Sequence, residues 1–335
     1  MLGIGKGKWT ILGLLIMLFG ASCEKEEQRV ILPAKGSAQV GRVLMGEDYS
    51  KQVFWDFSSN STVQTSLVED WDLSFETTPE GYHVWMNGGK GLASYKMATR
   101  KLDEVNRAPI GVPEADWGYD ASTGEAVKTY FGEWCNPTTR ESKEEVFLLR
   151  TADRKLFKLQ ILSVSDSNYT IAFAAVDAAV PSTYVIPKEA GFNRSYFSAT
   201  KLAPVRMDPP QDKWDVVFTR YRYIYPGANG APDTPYLITG VMLNPFKTQV
   251  AKDANMPFEQ ITADQIANQK FSSAVDAIGG FGWKQYNFGT GRYDVNPKQV
   301  YYLRNRNNQV FKLHFLDYYF NGAKGSPSFE SERLQ

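Results

Sequence analysis

The feature that most constrains this chain is a pentapeptide that occurs twice. Trp71-Asp72-Leu73-Ser74-Phe75 and Trp214-Asp215-Val216-Val217-Phe218 share a Trp-Asp-apolar-x-Phe pattern. A second shared segment lies well downstream of each. The first copy reads Val146-Phe147-Leu148-Leu149-Arg150 and then Phe157-Lys158-Leu159. The second reads Val300-Tyr301-Tyr302-Leu303-Arg304 and then Phe311-Lys312-Leu313, with the same spacing of seven from Arg to Phe. Two motifs in one order with one inner spacing indicate an internal duplication. The period is roughly 145–155 residues, the size of a domain and not of a solenoid repeat.

The copies read as strands. Lys51 to Phe57 alternates apolar and polar residues, and Trp71, Leu73 and Phe75 fall on one face. Pro79-Glu80-Gly81 turns the chain into Tyr82 to Met86, and Asn87 to Gly91 reads as a hairpin turn needing positive φ. Val146–Arg150 with Leu156–Val164 forms one hairpin, and Val300–Tyr319, turning at Asn305 to Asn308, forms its counterpart. The clearest helical pattern is 261–277, with Thr262 as N-cap and Gly279-Gly280 as terminator. The expected fold is all-β, with two similar domains at 41–180 and 191–335 and one short helix in the second. Pro181 and Pro187 mark 181–190 as the linker.

Composition narrows the function. Lys+Arg and Asp+Glu balance at 37 each, so no basic excess exists to displace counterions from a nucleic acid. The only histidines are His83 and His314 and the only cysteines Cys23 and Cys135, too few for a Cys/His zinc site. Nor do they supply a nucleophile–base–orienter set, so no enzymatic activity is expected. Asp72 and Asp215 occupy equivalent places and invite comparison with a glycosidase carboxylate pair. Their position in duplicated strands favours a backbone contact instead.

The N-terminus carries an address. Residues 1–22 have a lysine-bearing start, an apolar run from Ile11 to Phe19 and small residues before Cys23, the pattern of a signal peptide. The join resembles the lipobox of bacterial lipoproteins, with Cys23 as the lipidated residue and Gly20 where leucine is usual. Glu24-Lys25-Glu26-Glu27 resembles the surface-export signal of Bacteroidota lipoproteins. The expectation is a surface-exposed outer-membrane lipoprotein held by a lipid anchor, with 23–40 as an acidic tether. Cys135 is then a free thiol, expected to be buried and inert.

The Trp-Asp strand, the glycine loop after it, the Gly282-Trp283 segment and Tyr301-Tyr302-Leu303-Arg304 with Phe311 to Tyr318 resemble the HmuY family of Bacteroidota surface lipoproteins. The likeness touches both halves, as in a tandem or duplicated member. It implies an all-β fold and capture of haem for a TonB-dependent outer-membrane receptor, with iron held by a His or a Met pair. Phe288 stands where one such ligand falls, and phenylalanine cannot bind iron. The side chains left to weigh as haem ligands are Met256, His83 and Tyr286. His83 and His314 read first as structural strand histidines, and Met86, Met97, Met207 and Met242 as core fillers. Tyr293 joins Tyr286 as a possible phenolate. Two functions follow: binding haem or a porphyrin for uptake, or a non-haem accessory module of the outer membrane with a protein or glycan partner.

Overall fold

A computed structural model describes residues 37–109 and 112–335. The expected signal peptide over 1–22, the expected lipidation site Cys23 and the expected tether as far as residue 36 lie outside the described residues. The N-terminal arm supplies β1 (Gln39–Arg42), β2 (Lys51–Asp56) and β3 (Ser61–Leu67). The first Trp-Asp copy leads into β4 (Leu73–Glu76), β5 (Val84–Met86), β6 (Ala93–Lys96), β7 (Val146–Arg150) and β8 (Leu156–Val164). The chain continues through β9 (Asn168–Ala175), β10 (Ser182–Pro187), β11 (Arg194–Ser198) and β12 (Ala203–Val205). The second copy leads into β13 (Val216–Tyr225), β14 (Thr234–Leu243), β15 (Gln249–Asp253) and β16 (Lys284–Asn287). It ends with β17 (Arg292–Val295), β18 (Val300–Arg304), β19 (Val310–Phe320) and β20 (Ala323–Arg333). Only short 3-10 turns accompany these strands among the described residues, so the chain is all-β as expected.

Sheet order departs from chain order. A wide sheet, β10-β9-β8-β7-β6, and a narrow sheet, β12-β11-β4-β5, enclose one core around Leu73, Phe75, Trp134, Phe147 and Phe197. A second wide sheet, β1-β20-β19-β18-β15, and narrow sheet, β14-β13-β2-β3, enclose another around Trp55, Phe218, Trp283, Phe315 and Phe329. These two sandwiches are copies in different chain phase. In the first, β4 to β12 run consecutively. In the second, the same order begins at β13, runs through β20, and is completed by β1, β2 and β3 from the arm. Thus β1 lies beside β20 as β10 lies beside β9, and β2 lies beside β13 as β11 lies beside β4. Residues 71–205 form an inserted sandwich, and 39–67 with 214–335 form its host.

Three expectations are corrected by this arrangement. The sheets do not divide at 181–190, because that stretch contains β10, paired from Ser182↔Phe173 to Pro187↔Asn168. Proline is tolerated there because it ends an edge strand, where a missing N–H costs no ladder bond. The expected tether boundary at residue 40 falls inside β1, which starts at Gln39 and pairs with β20 of the second copy. The helix over 261–277 is only a 3-10 turn, Ala263–Asn268. Thr262 does cap it, donating from N–H and Oγ1 to Gln265 Oε1 at 2.7 and 2.9 Å. Past Asn268 the backbone bonds elsewhere, Ser272 with Val250 and Val275 with Thr123, so no i→i+4 ladder propagates.

The duplicated motifs prove to be staples. Asp72 Oδ2 accepts the Ala199 N–H at 2.7 Å, tying β4 to the turn after β11, and Oδ1 meets Lys90 Nζ at 2.7 Å. Asp215 repeats this with the Phe57 N–H at 2.8 Å and Arg306 Nη1 at 2.5 Å. Asn87 donates to the carbonyls of Val68 and Trp71, and Asn244 to those of Gln211 and Trp214. The lysine of each Phe-Lys-Leu triplet is buried under a 3-10 turn. Lys158 Nζ donates to Val105 O at 2.7 Å and Ala178 O at 2.8 Å, and Lys312 Nζ to Phe258 O at 2.9 Å and Ile261 O at 3.1 Å. Carbonyl acceptors replace water around both ammonium groups, and Lys312 also pairs with Glu332 at 3.0 Å.

Candidate ligand cleft between the two sandwiches

Strand alternation sends one side chain in two away from each core. On the narrow sheets these outward residues mix large rings and apolar side chains with polar ones. Ser74, Trp85, Arg194 and Tyr196 face out from the inserted sandwich, and Gln52, Phe54, Val217, Thr219, Tyr221 and Met242 from the host. They are covered because the narrow sheets lie back to back: Phe54 is 4% exposed, Trp85 8% and Met242 9%. Between them remains a cleft of about 230 Å³. That is the room of roughly eight waters, below the 300–1,000 Å³ usual for drug-sized ligands.

The hollow has a local cause. Ser74 pairs with Trp85 on one side and Tyr196 on the other, so a small side chain sits between two large rings. Opposite, Thr219 approaches Gln52, their side-chain oxygens 3.4 Å apart. Trp71 meets Tyr196 edge-on at 5.1 Å, and its counterpart Trp214 meets Phe54 in the same way at 4.9 Å. The Asn87–Gly91 loop walls one end. A Cβ on Gly89 would sit 2.2 Å from Arg220 O, so the glycine is there for close approach and not for positive φ, which only Gly91 adopts. Across another edge, Ser122 donates to Asp276 Oδ2 at 2.5 Å and the Val275 N–H to Thr123 O at 3.0 Å, joining the sandwiches.

Four charged side chains line the cleft. Asp120 accepts the N–H groups of Met86 at 2.6 Å and Tyr130 at 2.7 Å, while burial pushes its carboxyl up to about 6. Arg220 is committed, donating to Gly89 O at 2.6 Å and to Glu69 at 2.6 Å. Arg194 and Arg222 are not. Arg194 stacks 3.6 Å above the Trp85 ring and spends one hydrogen bond, on Asn193 O at 3.0 Å. Arg222 stacks 4.2 Å above Tyr119 and donates to Leu92 O. Burial lowers the pKa of both, that of Arg222 to about 10. Among the described residues no carboxylate forms an ion pair with either; Glu76 and Asp208 act on Arg194, and Asp120 on Arg222, from longer range.

The haem-ligand candidates do not meet here or anywhere else. Met256 is half-buried against Phe258 and Tyr302 on the host's wide sheet. His83 stands at the start of β5, its Nδ1 2.7 Å from Glu76 Oε2 and its ring stacked on Tyr82 at 4.1 Å. Burial would raise the Glu76 pKa, but the hydrogen bonds from His83 overcome it and hold the carboxyl at about 2. Tyr286 is exposed on the β16–β17 hairpin against Phe288 and Tyr293, and Phe288 itself is 91% exposed. His314, read as a structural strand histidine, is buried within β19. It engages both nitrogens, with Pro297 O at 3.0 Å and Glu330 at 3.1 Å, and stacks on Phe258. Met97 packs beside the core of the inserted sandwich's outer cluster, and Met207 is buried. Cys135 is buried as expected, and burial pushes its thiol up to about 11. Asp72 and Asp215 belong to different sheets, each with its oxygens already engaged.

No family model matches this chain, and no curated protein does. Two solved structures share part of its shape. One, from Bacteroides fragilis NCTC 9343 and described as a "putative lipoprotein", is 14% identical with a TM-score of 0.22, covering 42% of this chain and 91% of that one. The other is apo PinO from Porphyromonas gingivitis, 10% identical with a TM-score of 0.29, covering 90% of this chain and 99% of that one. At these scores neither likeness bears on what the chain does.

Proposed function

We propose that this chain is a lipid-anchored binding module of the bacterial outer membrane, tethered through Cys23, whose ligand occupies the cleft between the narrow sheets. The observation that carries this is the cleft itself: an aromatic hollow with convergent polar groups, lined from both narrow sheets. Rigid strands on both sides hold its lining, which suits a preformed site. The module then presents its ligand to, or senses it for, a membrane partner such as a TonB-dependent receptor.

Haem capture is the second reading, favoured by the resemblance to the HmuY family. The residues present do not fit it. Iron needs a side chain with a free lone pair facing a haem-sized pocket, and Met256, His83 and Tyr286 face three different places. The cleft is also small for a porphyrin.

Tryptophan emission tests the proposal. Glycans and small metabolites are titrated into the protein and into Ser74→Phe, whose ring fills the hollow. A saturable change present in the wild type and lost in the variant supports the cleft. Equal responses in both place the ligand elsewhere and end the proposal. A saturable Soret shift on adding haemin to the wild type would restore haem as the ligand.

A further inference from the structure

Arg194 and Arg222 are the two arginines of the cleft that form no ion pair among the described residues. The third arginine of the cleft, Arg220, has an ion pair, with Glu69 at 2.6 Å. Both unpaired arginines are half-buried, and withdrawing a guanidinium from water without a counter-ion is costly, since arginine does not escape by losing its proton. Stacking on Trp85 and Tyr119 offsets part of that cost and fixes the plane of each fork. A planar fork held in place with most of its donors unspent is the geometry that recognises a carboxylate through paired N–H···O bonds. The remaining walls are of another kind. Trp85, Tyr196 and Phe54 present ring faces and edges, while Ser74, Thr219 and Gln52 present hydroxyl and amide groups. Rings with interspersed small polar groups suit a body that is apolar on its C–H face and hydroxylated at its rim.

We infer that the cleft takes a single sugar ring bearing a carboxylate, a uronic or sialic acid residue, with Arg194 holding the carboxylate and Trp85 flanking the ring. This rests on the cleft being the ligand site. The volume of about 230 Å³ admits one ring and excludes an extended oligosaccharide from the interior. A free sugar acid and the terminal acidic residue of a glycan share this chemistry. Asp120 acts on Arg222 and is not among the groups acting on Arg194, and its two oxygens accept backbone N–H groups.

Calorimetry on the intact protein tests the inference with methyl glucuronoside, N-acetylneuraminic acid, methyl glucoside, and an oligosaccharide ending in glucuronate. The expected result is saturable binding of at least one acidic sugar and binding of the neutral glucoside at least about tenfold weaker. Arg194→Met should weaken the acidic sugar at least about tenfold while leaving the circular dichroism spectrum unchanged. Arg194→Lys, which keeps the charge and loses the fork, should fall between. If only the free acids bind, the source is a soluble metabolite; if the oligosaccharide binds as well, it is a glycan terminus. Equal binding of acidic and neutral sugars, or an unchanged affinity in Arg194→Met, overturns the acid reading and leaves the cleft as the site. Binding of the acidic sugar that survives Ser74→Phe overturns the inference and the cleft proposal together.

Discussion

Lys284 offers the sharpest physical test of the host sandwich. It opens β16 and is 6% exposed. Its ammonium lies 4.5 Å from the centroid of Tyr293, 4.9 Å from Tyr318 and 5.3 Å from Trp283, and donates to Thr239 Oγ1 at 3.2 Å. No carboxylate forms an ion pair with it among the described residues, and burial lowers its pKa from 10.5 to about 7. The sign follows from proton counting. Above pH 10.5 the amine is neutral in both states. As pH falls, the unfolded chain takes its proton first, so stability drops between pH 10.5 and 7; below 7 both states are protonated and the loss stops. At about 1.4 kcal/mol per pH unit the full penalty is about 5 kcal/mol, and the three rings return about 1–2 kcal/mol of it. Lys284→Met removes the amine and keeps an unbranched side chain. Urea unfolding of both proteins from pH 7 to 9.5 is the assay. The wild type should gain about 2–3 kcal/mol on the variant across that range, and the variant should be the more stable at pH 7. A stability difference that does not change with pH would refute the buried, unpaired amine.

Other substitutions probe the staples and the permuted closure. Asp215→Ala leaves Arg306 paired with Asp56 Oδ1 at 3.0 Å but orphans the buried Phe57 N–H, and should cost about 1–3 kcal/mol in denaturant unfolding; Asp72→Ala orphans the Ala199 N–H and takes its carboxylate from Lys90, and should cost about as much. Leu202 sits at φ +51° in the turn where the other copy has Asn60 at φ +48°, so Leu202→Asn should raise stability by about 0.5–1 kcal/mol, seen as a higher melting temperature. Deleting residues 37–67 removes β1 to β3 and bares the edges of β13 and β20. Size-exclusion chromatography should then show oligomers or aggregate, whereas a well-behaved monomer would contradict the closure.

Much of the fold was legible because the duplicated motifs mark structural duties. Trp-Asp-x-x-Phe announces a core strand with a buried carboxylate at its start. The hairpin spacing also held, with Arg154 and Asn308 both taking positive φ at equivalent turns. The burial of Lys158 and Lys312 was not legible, since their carbonyl partners come from turns more than 50 residues upstream in the chain for three of the four bonds. Nor was the closing role of the arm. β2 and β11 hold equivalent places yet share only an alternation, so no motif announced that 39–67 completes the second copy. The cleft did leave one trace. The alternation expected over Lys51 to Phe57 breaks at Val53-Phe54-Trp55, which is apolar on both strand faces, as suits a sheet covered on both sides. In an antiparallel protein that covering layer had to be a second sheet, and here it is the other copy.

The most direct test of the cleft reads the indole N–H resonances of the tryptophans in a proton–nitrogen correlation spectrum as methyl glucuronoside is added. Trp71, Trp85 and Trp214 line the cleft, whereas Trp134 and Trp283 lie in the two cores. The account predicts that the first three shift with a common saturation curve while the last two stay in place. Shifts confined to the core indoles, or no shift among the three cleft indoles at saturating ligand, would contradict it.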